Sequence, residues 1–144
     1  FMCCCDAVVC TDSAAFSFGE ARLGLTPATI APYVIAKIGP SAARELFLSA
    51  ARFDAQRALV VGLVHEVVAE GDLDSAVQKR VEQYLACGPE ALNATKQLIA
   101  SLQPALSDYR EATARLIAEL RASDEGREGL AAFLEKRKPG WAAG

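Results

Sequence analysis

No run in this sequence reaches the roughly 18 consecutive apolar residues that a bilayer-crossing helix requires, although 52% of its 144 residues are hydrophobic. Its first residues also lack the charged, then apolar, then small-residue layout of a secretory signal. The expectation is a soluble protein of the cytoplasm or an organelle matrix, with no membrane partner. Basic charge is not in excess, since 15 Lys and Arg stand against 18 Asp and Glu for a net charge of −3. With no surplus of cations to displace counterions from phosphates, no nucleic-acid partner is expected. The five cysteines, Cys3, Cys4, Cys5, Cys10 and Cys87, contain no CxxC pair, and their odd number suits neither a disulfide framework nor a zinc site. They are expected as small, buried, reduced thiols, with a reactive thiol as the other reading. His65 is the one histidine, and a lone histidine cannot build a metal site, so no metal is expected. No internal repeat, low-complexity linker or charge block divides the chain, and its composition is that of a folded domain with a sizeable core.

What is present organises the chain into a mixed front and a helical tail. The opening FMCCCDAVVC begins inside an apolar run with no cap or turn before it, so upstream sequence is expected. Small and β-branched residues predict a buried strand over 7–11 and a second over 15–18, separated by the turn residues Asp12 and Ser13. Gly24 and Pro27 then mark a loop. Residues 28–38 suit a short helix ended by Gly39, and Pro40 is placed to start the next helix, over 41–50. Asp54 is a good N-cap for a helix that Gly62 would end, and LVHEVV reads as a strand. Beyond Gly71 the apolar spacing turns helical. Leu73, Val77, Val81 and Tyr84 form one stripe, and Pro89 opens a further helix. Leu106, Tyr109, Thr113, Leu116 and Leu120 form another stripe, read first as plain core, with an oligomer seam as the other reading. Ser123 would cap a last helix carrying Leu130, Phe133 and Leu134.

Few residues invite a chemical role. Glu20 falls between the expected strand 15–18 and the Gly/Pro loop, where a rigid element can present one side chain while the loop lets a ligand approach. A carboxylate so placed can act as a general acid or base. Spacing alone favours the plainer reading, in which Glu20 pairs with Arg22 or faces water. Lys136, Arg137 and Lys138 close the last helix, where cations are favoured at about 0.3–1 kcal/mol each, and Arg137 and Lys138 are read as aids to solubility. His65 is expected to be structural, hydrogen-bonded or on the surface, and Asp6 and Asp12 to be turn and strand-edge acids.

Three stretches, CDAVVCTDSAAFSFGEARLGLTPA, FDAQRALVVGLVHEVV and REGLAAFLEKRKPGW, resemble in order and spacing the enoyl-CoA hydratase/isomerase, or crotonase, family. The resemblance covers nearly the whole chain and corresponds to the second half of a family member. It implies an α/β fold, mostly helical in this portion: the C-terminal part of a ββα spiral over 1–70, then an all-helical region over 71–144 that builds trimers, often paired into hexamers. The implied chemistry is hydration of an α,β-unsaturated acyl-CoA thioester through an enolate held by two backbone N–H groups, with two glutamates handling the water and its proton. Glu20 matches the second of these glutamates. The first would fall just before Phe1, and the N–H donors earlier still, so the N-terminal half is an implied partner and this portion is expected to be inactive alone. Lys136 matches the lysine that reaches the CoA nucleotide, and Ile117 stands where relatives often carry an aromatic beside the adenine. No cofactor is implied, CoA being part of the substrate.

Two departures accompany the resemblance. Gly19 replaces a proline common before the glutamate, and LTPATIAPYV replaces a glycine-rich run, as in the bacterial branch containing methylglutaconyl-CoA hydratases. Two other functions stay open at this level: an enoyl-CoA isomerase or related acyl-CoA lyase using one acid in a different place, and a non-catalytic crotonase-like assembly module.

Overall fold

A computed structural model describes residues 1–102 and 109–142. The small and β-branched run before Asp12 forms β1 (Val9–Thr11), shorter than the sequence predicts, and it pairs in parallel with β4 (Glu66–Val68). The second strand, β2, is only Ala15–Phe16, because its partner is the equally short β3 (Phe53–Asp54), which runs antiparallel to it. Sequence spacing does not reveal β3. It is held by aromatic contact, the Phe16 and Phe53 rings stacking with centroids 5.6 Å apart.

Between β2 and β3 in the chain lies α1 (Ala31–Ser49). Its backbone leaves the helical region at Gly39, with φ 75° and ψ 163°, and Pro40 follows immediately. The two helices expected on either side of Gly39 are thus real, abutted across a kink that glycine's freedom at positive φ permits. The first begins at Ala31 rather than residue 28, because Pro27 and Ala28 are buried in the preceding turn. α2 (Ala55–Val60) is capped as anticipated, with Asp54 Oδ1 accepting from the Arg57 N–H at 2.8 Å. Gly62 follows its end at φ 78°. Leu63 and Val64 are almost fully buried and join Val34, Leu46, Phe53 and Ala58 in one hydrophobic cluster.

Four α-helices follow among the described residues: α3 (Leu73–Leu85), α4 (Pro89–Ser101), α5 (Arg110–Ala122) and α6 (Asp124–Leu134). Their caps are local and legible, including Ser123, whose Oγ accepts from the Gly126 N–H at 3.0 Å. Their packing is less so. Val77, Val81 and Tyr84 of α3 are each more than 40% exposed, as are Tyr109 and Leu116 of the stripe read as core. Leu106 lies outside the described residues. α3 packs against β1 and α5 against α6, but these positions stay open among the described residues, so the core expectation is corrected for them.

In α6 the correction goes further. Leu130 is only half-buried and Phe133 and Leu134 are exposed, while the inward face is Gly126, Gly129 and Ala132. Close approach to neighbouring backbone, rather than bulk, sets which side of α6 faces in. The cysteines are all free, but Cys4, Cys5 and Cys87 are exposed and Cys3 and Cys10 half-buried, so the expectation of burial does not hold. Cys3, Cys4 and Cys5 border an open hollow and Cys87 follows the end of α3, while Cys3 and Cys10 pack only at the margin of the hydrophobic cluster.

Candidate active site

The chain approaches Glu20 from an aromatic anchor. Phe18 meets Phe47 edge to face at 5.1 Å and lies 5.9 Å from Phe53, which ties the backbone two residues before the acid to α1 and β3. Gly19 follows with φ −86° and open space around its missing Cβ, where the nearest atom would be Ser17 Oγ at 3.8 Å. Glycine's special freedom is therefore not used at Gly19. Glu20 then heads a one-turn 3-10 helix, Glu20–Leu23, in the stretch read from sequence as loop. The turn is closed by the Arg22 N–H donating to the Gly19 carbonyl at 3.1 Å, and by the Leu25 N–H donating to the Glu20 carbonyl at 3.1 Å.

Gly24 ends the turn in the left-handed region at φ 66°. A Cβ there would be both strained and 2.7 Å from the Glu125 carbonyl oxygen of α6. The approach is reciprocal, since a Cβ on Gly129 of α6 would run into the Leu23 carbonyl and sit 2.9 Å from the Leu23 Cα. Backbone meets backbone on both sides of this contact. Glu20 itself is half-buried. Among the described residues its carboxylate has no ion pair or side-chain hydrogen bond, and the pairing with Arg22 considered from sequence does not form.

Lys136 lies at the other end of α6. The Lys136 N–H donates to the Phe133 carbonyl at 3.2 Å and the Arg137 N–H to the Ala132 carbonyl at 3.0 Å, so the helix ends in a Schellman motif. Lys136 occupies its left-handed position at φ 56°, a place glycine usually fills. Its side chain is exposed and takes no ion pair among the described residues. α6 thus joins the two candidate residues, packing against the turn that carries Glu20 and carrying Lys136 at its end.

Arg137 is not the solubilising cation that the sequence suggests. Its guanidinium grips Glu128 of α6 at 2.6 and 2.9 Å and also bonds Glu135, while the Gly140 N–H adds a 3.0 Å bond to Glu128. These donors, the Arg137 hydrogen bonds first, hold the Glu128 carboxyl down at about 2, and the two carboxylates push Arg137 further up. The sequence signal was available, since a Glu and an Arg nine residues apart bracket the helix end, but it takes the Schellman turn to bring the arginine back over α6.

His65 fills the structural role anticipated for it. Its Nδ1 accepts from the Val8 N–H at 2.9 Å, which ties the residue before β4 to the residue before β1, and Nε2 lies 3.3 Å from Lys37 Nζ. Partial burial, then the charges of Lys37 and Arg80, lower its pKa. Asp6 pairs with Lys96 at 2.7 Å, and Ile117 is half-buried in α5. A hollow of about 800 Å³, unforeseen in the sequence, opens between the Met2–Cys4 turn, α1, the end of α3 and α4. Tyr33, Tyr84, Leu92 and Ile99 give it an apolar wall, burial raises the pKa of the Cys3 thiol at its edge, and neither Glu20 nor Lys136 lines it. No group of three or more potential metal-ligating side chains occurs among the described residues, and none of their helices is long and apolar enough to cross a membrane.

The family model for enoyl-CoA hydratase/isomerase matches residues 1–144. A carnitinyl-CoA dehydratase of Citrobacter koseri is 31% identical over 142 residues, covering 94% of this chain and 54% of the relative. Among solved structures, an enoyl-CoA hydratase/isomerase from Pseudoalteromonas atlantica superposes with TM-score 0.85 at 31% identity, over 98% of this chain and 58% of that one. An enoyl-CoA hydratase from Mycobacterium avium does so with TM-score 0.86 at 34% identity, over 98% and 56%. The chain spans about half the length of the curated relatives it matches. Its fold is that of the corresponding part of these structures, and the chain belongs to the enoyl-CoA hydratase/isomerase family.

Proposed function

We propose that this chain supplies the proton-handling carboxylate of an enzyme that adds water across the double bond of an α,β-unsaturated acyl-CoA thioester, or removes it in reverse. The observation that carries this reading is the placement of Glu20, an acid without a partner among the described residues, at the head of a turn fixed between an aromatic anchor and α6. In hydration, the hydroxyl of water bonds to the β-carbon and a proton is delivered to the α-carbon as the enolate collapses. Glu20, through its match to the second family glutamate, moves that proton. The enolate's stabilising N–H donors and the other glutamate belong to the half of a family-length protein that this chain does not span. Electrostatic stabilisation by such donors is generally the largest single contribution, so this portion alone is inactive.

Lys136 is assigned to the CoA nucleotide, where an exposed ammonium on a flexible stem meets phosphate as a point charge. Its lack of an ion pair among the described residues supports this. The exposed stripes on α3 and α5 support burial against that other half and against further subunits in a trimer or hexamer, because contiguous apolar surface of this kind marks contact sites. The relative named carnitinyl-CoA dehydratase and those named enoyl-CoA hydratases share this reaction type, and the acyl group here is left to the pocket that the LTPATIAPYV loop shapes.

The test is Glu20→Gln in a family-length polypeptide containing this sequence, followed by loss of the conjugated thioester's ultraviolet absorbance. General acid or base work contributes about 10²–10⁴-fold, so a drop of that order is expected. A rate within about threefold of the parent, only ~0.7 kcal/mol of barrier, would remove Glu20 from the mechanism and leave the assembly reading in its place.

A further inference from the structure

We infer that α6 is the positioning element for Glu20 and that Gly129 is the residue through which it acts. This rests on the reading of Glu20 as the reacting acid. The turn that carries Glu20 has four residues and cannot hold its own orientation, since 3-10 bonds are poorly aligned and runs this short are not independently stable. Phe18 anchors the entry to the turn, while the exit is set chiefly by α6, with α1 also packing against the turn. There, Gly24 faces the Glu125 backbone and the root of the Glu125 side chain, and Gly129 faces the Leu23 backbone with no side chain between.

At Gly129 the contact has no rotamer to absorb error. A shift of α6 passes directly to Leu23, three residues from Glu20. α6 is itself fixed at both ends, by the Ser123 cap at one and by the Arg137–Glu128–Gly140 grip, beside Gly129, at the other. The C-terminal helix therefore does more than extend an assembly surface. It sets the aim of the acid.

Ala76→Gly provides a control for loss of stability alone, because Ala76 is buried on α3, whose close packing is against β1. Gly129→Ala and Ala76→Gly are compared in the family-length polypeptide by kcat and KM for hydration and by exchange of the Leu25 amide, whose bond to the Glu20 carbonyl reports the turn. With the acid displaced on the order of 1 Å, kcat of Gly129→Ala falls about 100-fold with KM nearly unchanged, and Leu25 exchanges at least about tenfold faster than in Ala76→Gly. Equal Leu25 exchange in the two variants overturns the inference. So does a kcat for Gly129→Ala within about threefold of that for Ala76→Gly, provided Glu20→Gln is itself impaired. Faster Leu25 exchange with no loss of rate in Glu20→Gln supports the positioning and refutes the proposed reaction instead. If Gly129→Ala does not fold, exchange in the unsubstituted protein decides. Leu25 and the Glu135 amide at the end of α6 open with one common denaturant dependence if α6 holds the turn, and with separate dependences if it does not.

Discussion

Replacing Lys136 with glycine is expected to stabilise the protein while weakening its hold on a CoA ester. Lys136 sits at φ 56° in the left-handed position of the Schellman motif that ends α6. An L-residue there brings Cβ against the following carbonyl at a cost of roughly 1–2 kcal/mol, which glycine avoids. Glycine in turn loses more backbone freedom on folding, roughly 0.5–1 kcal/mol. The cation at the helix C-terminus is also lost, at the low end of about 0.3–1 kcal/mol for so exposed a side chain, and salt screens it. The charge effect cancels when Lys136→Gly is compared with Lys136→Ala, which leaves about 1 kcal/mol in favour of glycine from the backbone alone. Urea midpoints for the parent and both variants at low and high salt measure this difference, provided the slope with denaturant is unchanged. In the family-length protein both variants bind CoA esters more weakly than the parent, with the deficit shrinking as salt rises. If the glycine and alanine variants unfold at the same urea concentration, the left-handed strain assigned to Lys136 is absent. If affinity is unchanged at low salt, the ammonium does not meet the nucleotide.

Two further predictions concern pH. His65 has a lowered pKa, so the unfolded chain binds its proton more readily than the folded one; the stability this group contributes is complete above about 6.5 and is lost as pH falls through the folded value. A protonated ring can no longer accept from the Val8 N–H, and unfolding midpoints measured between pH 7 and 5 should fall less steeply in His65→Gln than in the parent. Glu128 is likewise depressed, from 4.5 to about 2, by Arg137 and the Gly140 N–H; its contribution is present above about 4.5 and is lost as pH falls toward 2. Arg137→Met should flatten that acid limb of the stability curve, and a limb unchanged in shape would mean that the grip on α6 is not formed in solution.

The helix ends were legible because their chemistry is local. Asp54 and Ser123 bond an N–H three residues ahead, Pro89 opens α4, and Gly39 breaks α1 at positive φ. None of this depends on what lies across the fold. The strands were harder to read, since β2 and β3 are two residues each and exist because Phe16 and Phe53 find each other across 37 positions of sequence. Glu20 was singled out only through the blocks around it, because an isolated acid beside a glycine carries little information of its own. The turn that presents it was not legible, since four residues of 3-10 helix have no periodicity to detect.

α6 separates most sharply what each level decided. Sequence by itself determined the family and the start of α6 at its serine cap, but it carried the helix on to Lys136–Lys138, past the observed end at Leu134. It also put Leu130, Phe133 and Leu134 on an apolar stripe, which reads as the buried face by any rule based on hydrophobicity. Only the tertiary structure decided that Gly126, Gly129 and Ala132 face inward. The reason is geometric: the turn after Phe18 comes so close to α6 that a Cβ does not fit between the two backbones. The separation of two main chains is a property of the whole fold, and no local pattern encodes it.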